Sequence, residues 1–175
     1  MSCILYLDTE FSSFEDMELL SLGLVHADSD KELYVVIADP DPACRPSGFV
    51  IHEVFKLIGL HDPEVLTREQ CAHRIDAFIA DCRGSPDKPV LILADAAIDW
   101  QLLIELWPPM PGQQTWASAN NIRGAYLCDQ VQPQQQVLLD EFVEEFHAIH
   151  DQRHHALMDA RALKYAHKKV SWSHK

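Results

Sequence analysis

The sequence predicts a mixed α/β domain, with a five-stranded sheet whose first three strands are antiparallel and whose faces are covered by helices. Three observations carry this. Segments 3–9, 18–27 and 32–39 are rich in β-formers and follow one another closely, the last two joined by the polar link DSDK, which is the pattern of an antiparallel meander. The run PVLILAD at 89–95 is short and continuously apolar, as in a strand buried on both faces. Two amphipathic segments, 137–150 and 156–168, carry apolar residues at three- and four-residue spacing and close the chain as helices.

The remaining elements follow from local signals. The Pro-rich DPDPACRP breaks the chain after the third strand, and Phe49 to Leu60 has helical periodicity. Thr67 and Gln70 make a capping-box pattern that opens a helix running to about Cys82. Residues 98–107 read as a helix that stops at Pro108–Pro109. The stretch from Pro108 to Gly124 has no apolar period and reads as a long loop, and AYLCDQ at 125–130 reads as the last strand. Neither a repeat nor a linker interrupts the order, so residues 1–175 are expected to form one domain.

Composition narrows the class. The apolar fraction of 47% suits a globular chain with a sizeable core. No apolar run approaches the roughly 20 residues of a membrane span, so no membrane partner is expected. The opening MSCILYLDTE lacks a basic n-region, which argues against a signal peptide. Five scattered cysteines without a CxxC pair fit reduced thiols and a cytoplasmic location. The net charge of -13 argues against tight, sequence-independent binding to long nucleic acid, which needs Lys and Arg on the phosphates. It leaves open a short nucleic-acid end held through divalent cations.

The chemistry-bearing residues are few and ordered. Asp8 and Glu10 sit in the most apolar N-terminal stretch, CILYLDTEF. A strand points positions i and i+2 to one face, and two carboxylates desolvated together invite a cation. Asp99 follows the 89–95 strand at the start of a helix, and Asp159 lies near the start of the last helix. Carboxylate oxygens suit hard cations. Two-metal nucleases hold two Mg2+ or Mn2+ ions roughly 3.5–4 Å apart, one activating water and one stabilising the leaving oxygen. His154 lies five residues before Asp159. On one helix that separation turns through about 140°, so His154 is placed on the segment before the helix and Asp159 inside it. A histidine of ordinary pKa is suited to take a proton from water at neutral pH.

DTE at 8–10, Asp99 after an apolar strand, and H-x-A-x-x-D-A at 154–160 resemble the DEDDh 3′–5′ exonucleases, over roughly residues 4–165. The resemblance implies a ribonuclease H-like fold. It implies that Asp8, Glu10, Asp99 and Asp159 hold two Mg2+ or Mn2+ ions and that His154 is the general base. The implied reaction releases nucleoside 5′-monophosphates from the 3′ end of single-stranded nucleic acid, with RNA favoured over DNA, and the family is often homodimeric. The chain departs from the family in reading DTEFSSF where many members read DTETTG, and in carrying Asp95 four residues before Asp99 where an Asn is usual. In this it looks more like a bacterial exoribonuclease-like branch than a proofreading subunit.

Each signal has a plainer reading. Asp95 is expected to cap the following helix rather than to extend the acidic site. Phe11 and Phe14 are candidates to stack on a terminal base, or are ordinary packing residues. His52 falls where the family often has a histidine near substrate, though a lone histidine there is more often structural. Glu10, or backbone near Phe11, is the candidate contact for a ribose 2′-hydroxyl. Trp116 is expected to anchor its loop. The rival functions are a nuclease-fold module that binds a nucleic-acid or protein partner without catalysis, and phosphoryl transfer through Asp8 as nucleophile. The second lacks the Asp two residues on and the downstream Lys that such chemistry uses.

Overall fold

In the computed structural model, which describes residues 2–107 and 115–172, six strands form one sheet. They are β1 (Cys3–Phe11), β2 (Leu19–His26), β3 (Glu32–Ile37), β4 (Glu64–Leu66), β5 (Val90–Ala94) and β6 (Ile122–Tyr126). The spatial order is β4-β3-β2-β1-β5-β6. β1, β2 and β3 pair antiparallel as the meander predicts. β5 joins β1 in parallel, β6 joins β5 in parallel, and β4 adds a sixth, three-residue edge strand parallel to β3.

Among the described residues five α-helices flank the sheet: α1 (Arg68–Arg83), α2 (Ala97–Ile104), α3 (Trp116–Ala119), α4 (Gln136–His150) and α5 (Ala156–Trp172). Strand alternation divides the core into two layers. Leu5, Leu7, Leu22 and Leu24 face α1 and α2. Tyr6, Val25 and Tyr34 face α5, whose Ala156, Ala160 and Ala166 are fully buried. The small side chains on that helix let it lie close to the strands.

Several local expectations shift. The capping box at Thr67 and Gln70 forms, and α1 runs one residue beyond Cys82 before Gly84 closes it in the left-handed region at φ 70°. Of the segment from Phe49 to Leu60, only a π-helical turn at Val50–Val54 forms, with no side-chain cap at Phe49 to start a longer helix. The last strand begins earlier than expected, and Cys128–Gln130 turns instead as a 3-10 helix. The long loop contains the short α3, capped by Thr115. Trp116 stacks on Trp107 at 3.7 Å and donates its ring N–H to Asp76 at 2.7 Å, so it anchors the loop. Pro108–Pro109, expected to stop α2, lie outside the described residues; α2 itself ends at Ile104.

Candidate active site

The two central parallel strands end at different heights. Pairing of β1 with β5 stops at Tyr6 and Leu93, while β1 continues to Phe11. From Leu7 onward that edge of β1 is open, and the chain leaving β5 turns into α2. A crevice beyond the C-terminal ends of parallel strands is where open α/β sheets bind ligands. Here it is a cleft of about 720 Å³, walled by β1, the start of α2, α4 and the start of α5.

Asp8 and Glu10 point to the α5 face, opposite Gly23 and Ser21 of β2. Gly23 is required where it stands. A Cβ there would lie 2.6 Å from the Cα of Leu157 and closer still to the Ala156 carbonyl oxygen. The first turn of α5 therefore rests directly on the strand beside Asp8, which brings Asp159 over the carboxylate pair. Gly124 serves α2 similarly, since a Cβ there would meet the Trp100 ring at 2.7 Å.

Asp99 enters from the opposite face of the sheet. Its Oδ1 accepts from the Thr9 hydroxyl at 2.7 Å and from the Thr9 backbone N–H at 3.1 Å, an N–H on the open edge of β1. Asp95 does not cap α2. The cap position falls one residue later, on Ala96, whose extended backbone (φ -124°, ψ 152°) begins the helix without a side-chain bond. Asp95 stays at the end of β5, where its carboxylate gathers with those of Asp8 and Asp99 within 4.8 Å.

A second group of donors lies beside the first: Glu10, His154 and Asp159, again within 4.8 Å of one another. His154 precedes α5 in a left-handed conformation (φ 67°), and its backbone N–H donates to Asp159 Oδ2 at 2.9 Å. Strain of this kind persists where surrounding contacts over-determine it. Phe49 packs against the His154 ring in a T-shaped pair, with centroids 4.8 Å apart. His147 of α4 also reaches the cleft, its Nε2 3.2 Å from Asp159 Oδ1 but short of hydrogen-bond alignment.

The electrostatics are those of acids forced together. Burial, reinforced by Asp159, Asp99, Glu10 and Asp95, pushes Asp8 well above the usual carboxylate range. Burial, then Asp159 and Asp99, lifts Glu10 to about 8. Burial lifts Asp99 to about 7 against the pull of the Thr9 hydroxyl, and Asp159 to about 7 against the pull of the His154 backbone N–H. Carboxylates that resist ionising together are neutralised by a bound cation. Asp159 Oδ1 is buried without a hydrogen bond among the described residues, and the donors are nearly all hard oxygens, so the site fits a hard divalent cation. Burial lowers the pKa of His154, with Arg153 adding to it, which favours the neutral ring a general base needs.

Phe11 and Phe14 both line the cleft, packed edge to face at 5.2 Å. Phe14 is 81% exposed. His52 does not line it; it is exposed on the π-helical turn, whose Phe49 and Val50 face the cleft instead. His147 has no metal-ligand spacing in the sequence and Phe49 carries no site signal there, yet both line the cleft. His147 had one signal: it stands four residues after Val143 and eight after Leu139, on the apolar stripe of α4.

No family model matches the sequence, and no curated protein matches it at a significant level. Solved structures do. A full-length 3′-exonuclease superposes with a TM-score of 0.62 at 14% identity, over 99% of this chain and 83% of that one. This chain shares the fold of that protein. The zinc-bound complex of E. coli ExoI with ssDNA superposes with a TM-score of 0.55 at 15% identity, over 99% of this chain and 40% of that one. The chain thus spans less than half the length of the ExoI protein, and its mixed sheet is ribonuclease H-like.

Proposed function

We propose that the protein is a divalent-cation-dependent 3′–5′ exonuclease that removes nucleoside 5′-monophosphates from single-stranded nucleic acid, RNA in preference to DNA. One observation carries this: a single cleft gathers two adjoining donor groups, Asp8 with Asp95 and Asp99, and Glu10 with His154 and Asp159. The solved structures that share the fold, a 3′-exonuclease and ExoI with ssDNA, support the same chemistry.

Asp8, Glu10, Asp99 and Asp159 are the residues that would hold two Mg2+ or Mn2+ ions, which when bound supply the positive charge that activates water and stabilises the leaving oxygen. His154 takes the proton of the attacking water on its imidazole, kept neutral by burial. Thr9 fixes Asp99, and the His154 backbone fixes Asp159, so the carboxylates are held before substrate arrives. Phe11 and Phe14 offer aromatic surface to the terminal bases. Glu10 lines the cleft and is the proposed contact for a ribose 2′-hydroxyl, on which the RNA preference rests.

The test is incubation with end-labelled RNA and DNA oligonucleotides in Mg2+ or Mn2+. Stepwise shortening from the 3′ end, lost with chelator, with Asp8→Asn and with His154→Ala, is expected. Full activity in either variant would displace the assigned site. Equal rates on RNA and DNA would remove the substrate preference, and no cleavage of any oligonucleotide would favour a binding module.

A further inference from the structure

We propose that His147 is a positioning residue that orients Asp159 for cation binding, an inference that rests on the nuclease function above. His147 belongs to α4, which carries none of the five residues of the sequence pattern. Its side chain is only 9% exposed, it lines the cleft, and its Nε2 lies 3.2 Å from Asp159 Oδ1, within ion-pair range though outside hydrogen-bond alignment.

The other ring nitrogen fixes the tautomer. Nδ1 is buried with no partner among the described residues. A neutral imidazole has one N–H and one lone pair, and a buried N–H without a partner is costlier than an unused acceptor. The proton therefore belongs on Nε2, toward Asp159. Oδ2 of Asp159 is already committed to the His154 backbone N–H. That leaves Oδ1, with its two lone pairs, to serve a cation on one side and the His147 N–H on the other.

A carboxylate free to rotate would pivot about its bond to His154 and lose the shared geometry with Glu10. A small rotation of the His147 ring would bring a second N–H donor from α4 onto Oδ1 and stop that pivot. Outer partners of this kind hold ligating carboxylates in metal sites, and removing one lowers metal affinity or activity about 10–100-fold.

The test uses the full chain, with Mn2+ binding measured by calorimetry in the absence of substrate. His147→Ala and His147→Leu should each weaken Mn2+ binding about 10–100-fold, and the loss in kcat/KM should narrow as Mn2+ is raised. His147→Gln keeps a side-chain N–H and should recover most of the affinity. Near-UV circular dichroism reports folding, and if the alanine variant fails to fold, the Leu and Gln variants make the comparison. In the unmodified protein, the ring nitrogen resonances of His147 should place the proton on Nε2 and move with Mg2+ over the range in which Mg2+ binds. Unchanged Mn2+ affinity in the Leu variant, a Gln variant no better than Leu, or ring resonances indifferent to Mg2+ would each overturn the role. An unmodified chain that binds no divalent cation and cleaves nothing would instead overturn the nuclease function itself.

Discussion

Thr9 donates both its hydroxyl and its backbone N–H to one oxygen of Asp99, at 2.7 and 3.1 Å. The pair ties the first turn of α2 to the open edge of β1, and the hydroxyl is the largest influence holding down a carboxyl that burial otherwise lifts to about 7. Thr9→Val keeps the shape and the backbone bond but removes the hydroxyl. Hydrogen bonds to charged groups contribute about 1.5–3 kcal/mol. Asp99 should then hold its proton to higher pH, so the acid limb of the kcat/KM profile should move upward and activity at neutral pH should fall about tenfold. Thr9→Ser should leave the profile in place. A Val variant with an unshifted profile would mean that the backbone N–H alone sets Asp99.

Gly23 makes a different kind of demand, because what it meets is backbone. Overpacking usually costs about 1–3 kcal/mol, and less when a flexible side chain can yield. Here the Ala156–Leu157 backbone cannot yield without moving α5. Gly23→Ala should therefore lose about 3 kcal/mol, a Tm lowered by about 6–12 °C for a chain of this size. Assayed well below its Tm, it should also lose activity, because the helix that moves carries Asp159. A Tm within about 2 °C of the unmodified chain would show that α5 adjusts freely.

The crowded carboxylates give a signed pH dependence. Folding raises Glu10 to about 8 and Asp99 and Asp159 to about 7, from ordinary values of 4.5 and 3.8. A group raised on folding adds stability that is complete below its unfolded value and lost as pH rises through the folded one. Burial lowers His147, His154 and His155 from 6.5, and these act in the opposite sense, but their effect is complete above the unfolded value. Between about pH 7 and 8 the carboxylates decide. Thermal melts in chelator should show Tm falling across that window, and Mg2+ should restore it most at the alkaline end. A Tm in chelator that rises there, or that Mg2+ leaves unchanged, would contradict the arrangement.

What could be read in advance was what is local. Asp8 and Glu10 share a face because a strand alternates, and His154 falls outside the helix that holds Asp159 because five residues do not return to one helical face. The cap at Thr67 is likewise written within four residues. What could not be read depends on partners distant in sequence. β4 is three residues long and exists by pairing with β3, more than 25 residues earlier. Asp95 looked like a cap because caps tolerate a one-residue error in sequence; Ala96 takes that place, and the displaced acid joins the site. His147 reaches Asp159 only because α4 and α5 pack side by side, a contact no local pattern encodes.

The substrate wall separates two residues that the sequence offers as substrate contacts. Phe14 is 81% exposed and touches Phe11 edge-on inside the cleft, whereas His52 lies outside it. An aromatic ring that stays so exposed contributes little to folding, and substitutions at such positions usually change stability by no more than about 0.5 kcal/mol. Stacking of a base on an aromatic side chain is worth about 1–3 kcal/mol. Phe14→Ala should therefore leave Tm unchanged and raise KM for a short oligonucleotide about 5- to 150-fold, with kcat less affected. Phe14→Trp should keep KM low, since any flat ring can stack. His52→Ala should change neither constant. A Phe14→Ala variant with normal KM would assign the ring to another role, and a raised KM in His52→Ala would show that the π-helical turn moves toward substrate when the cleft fills.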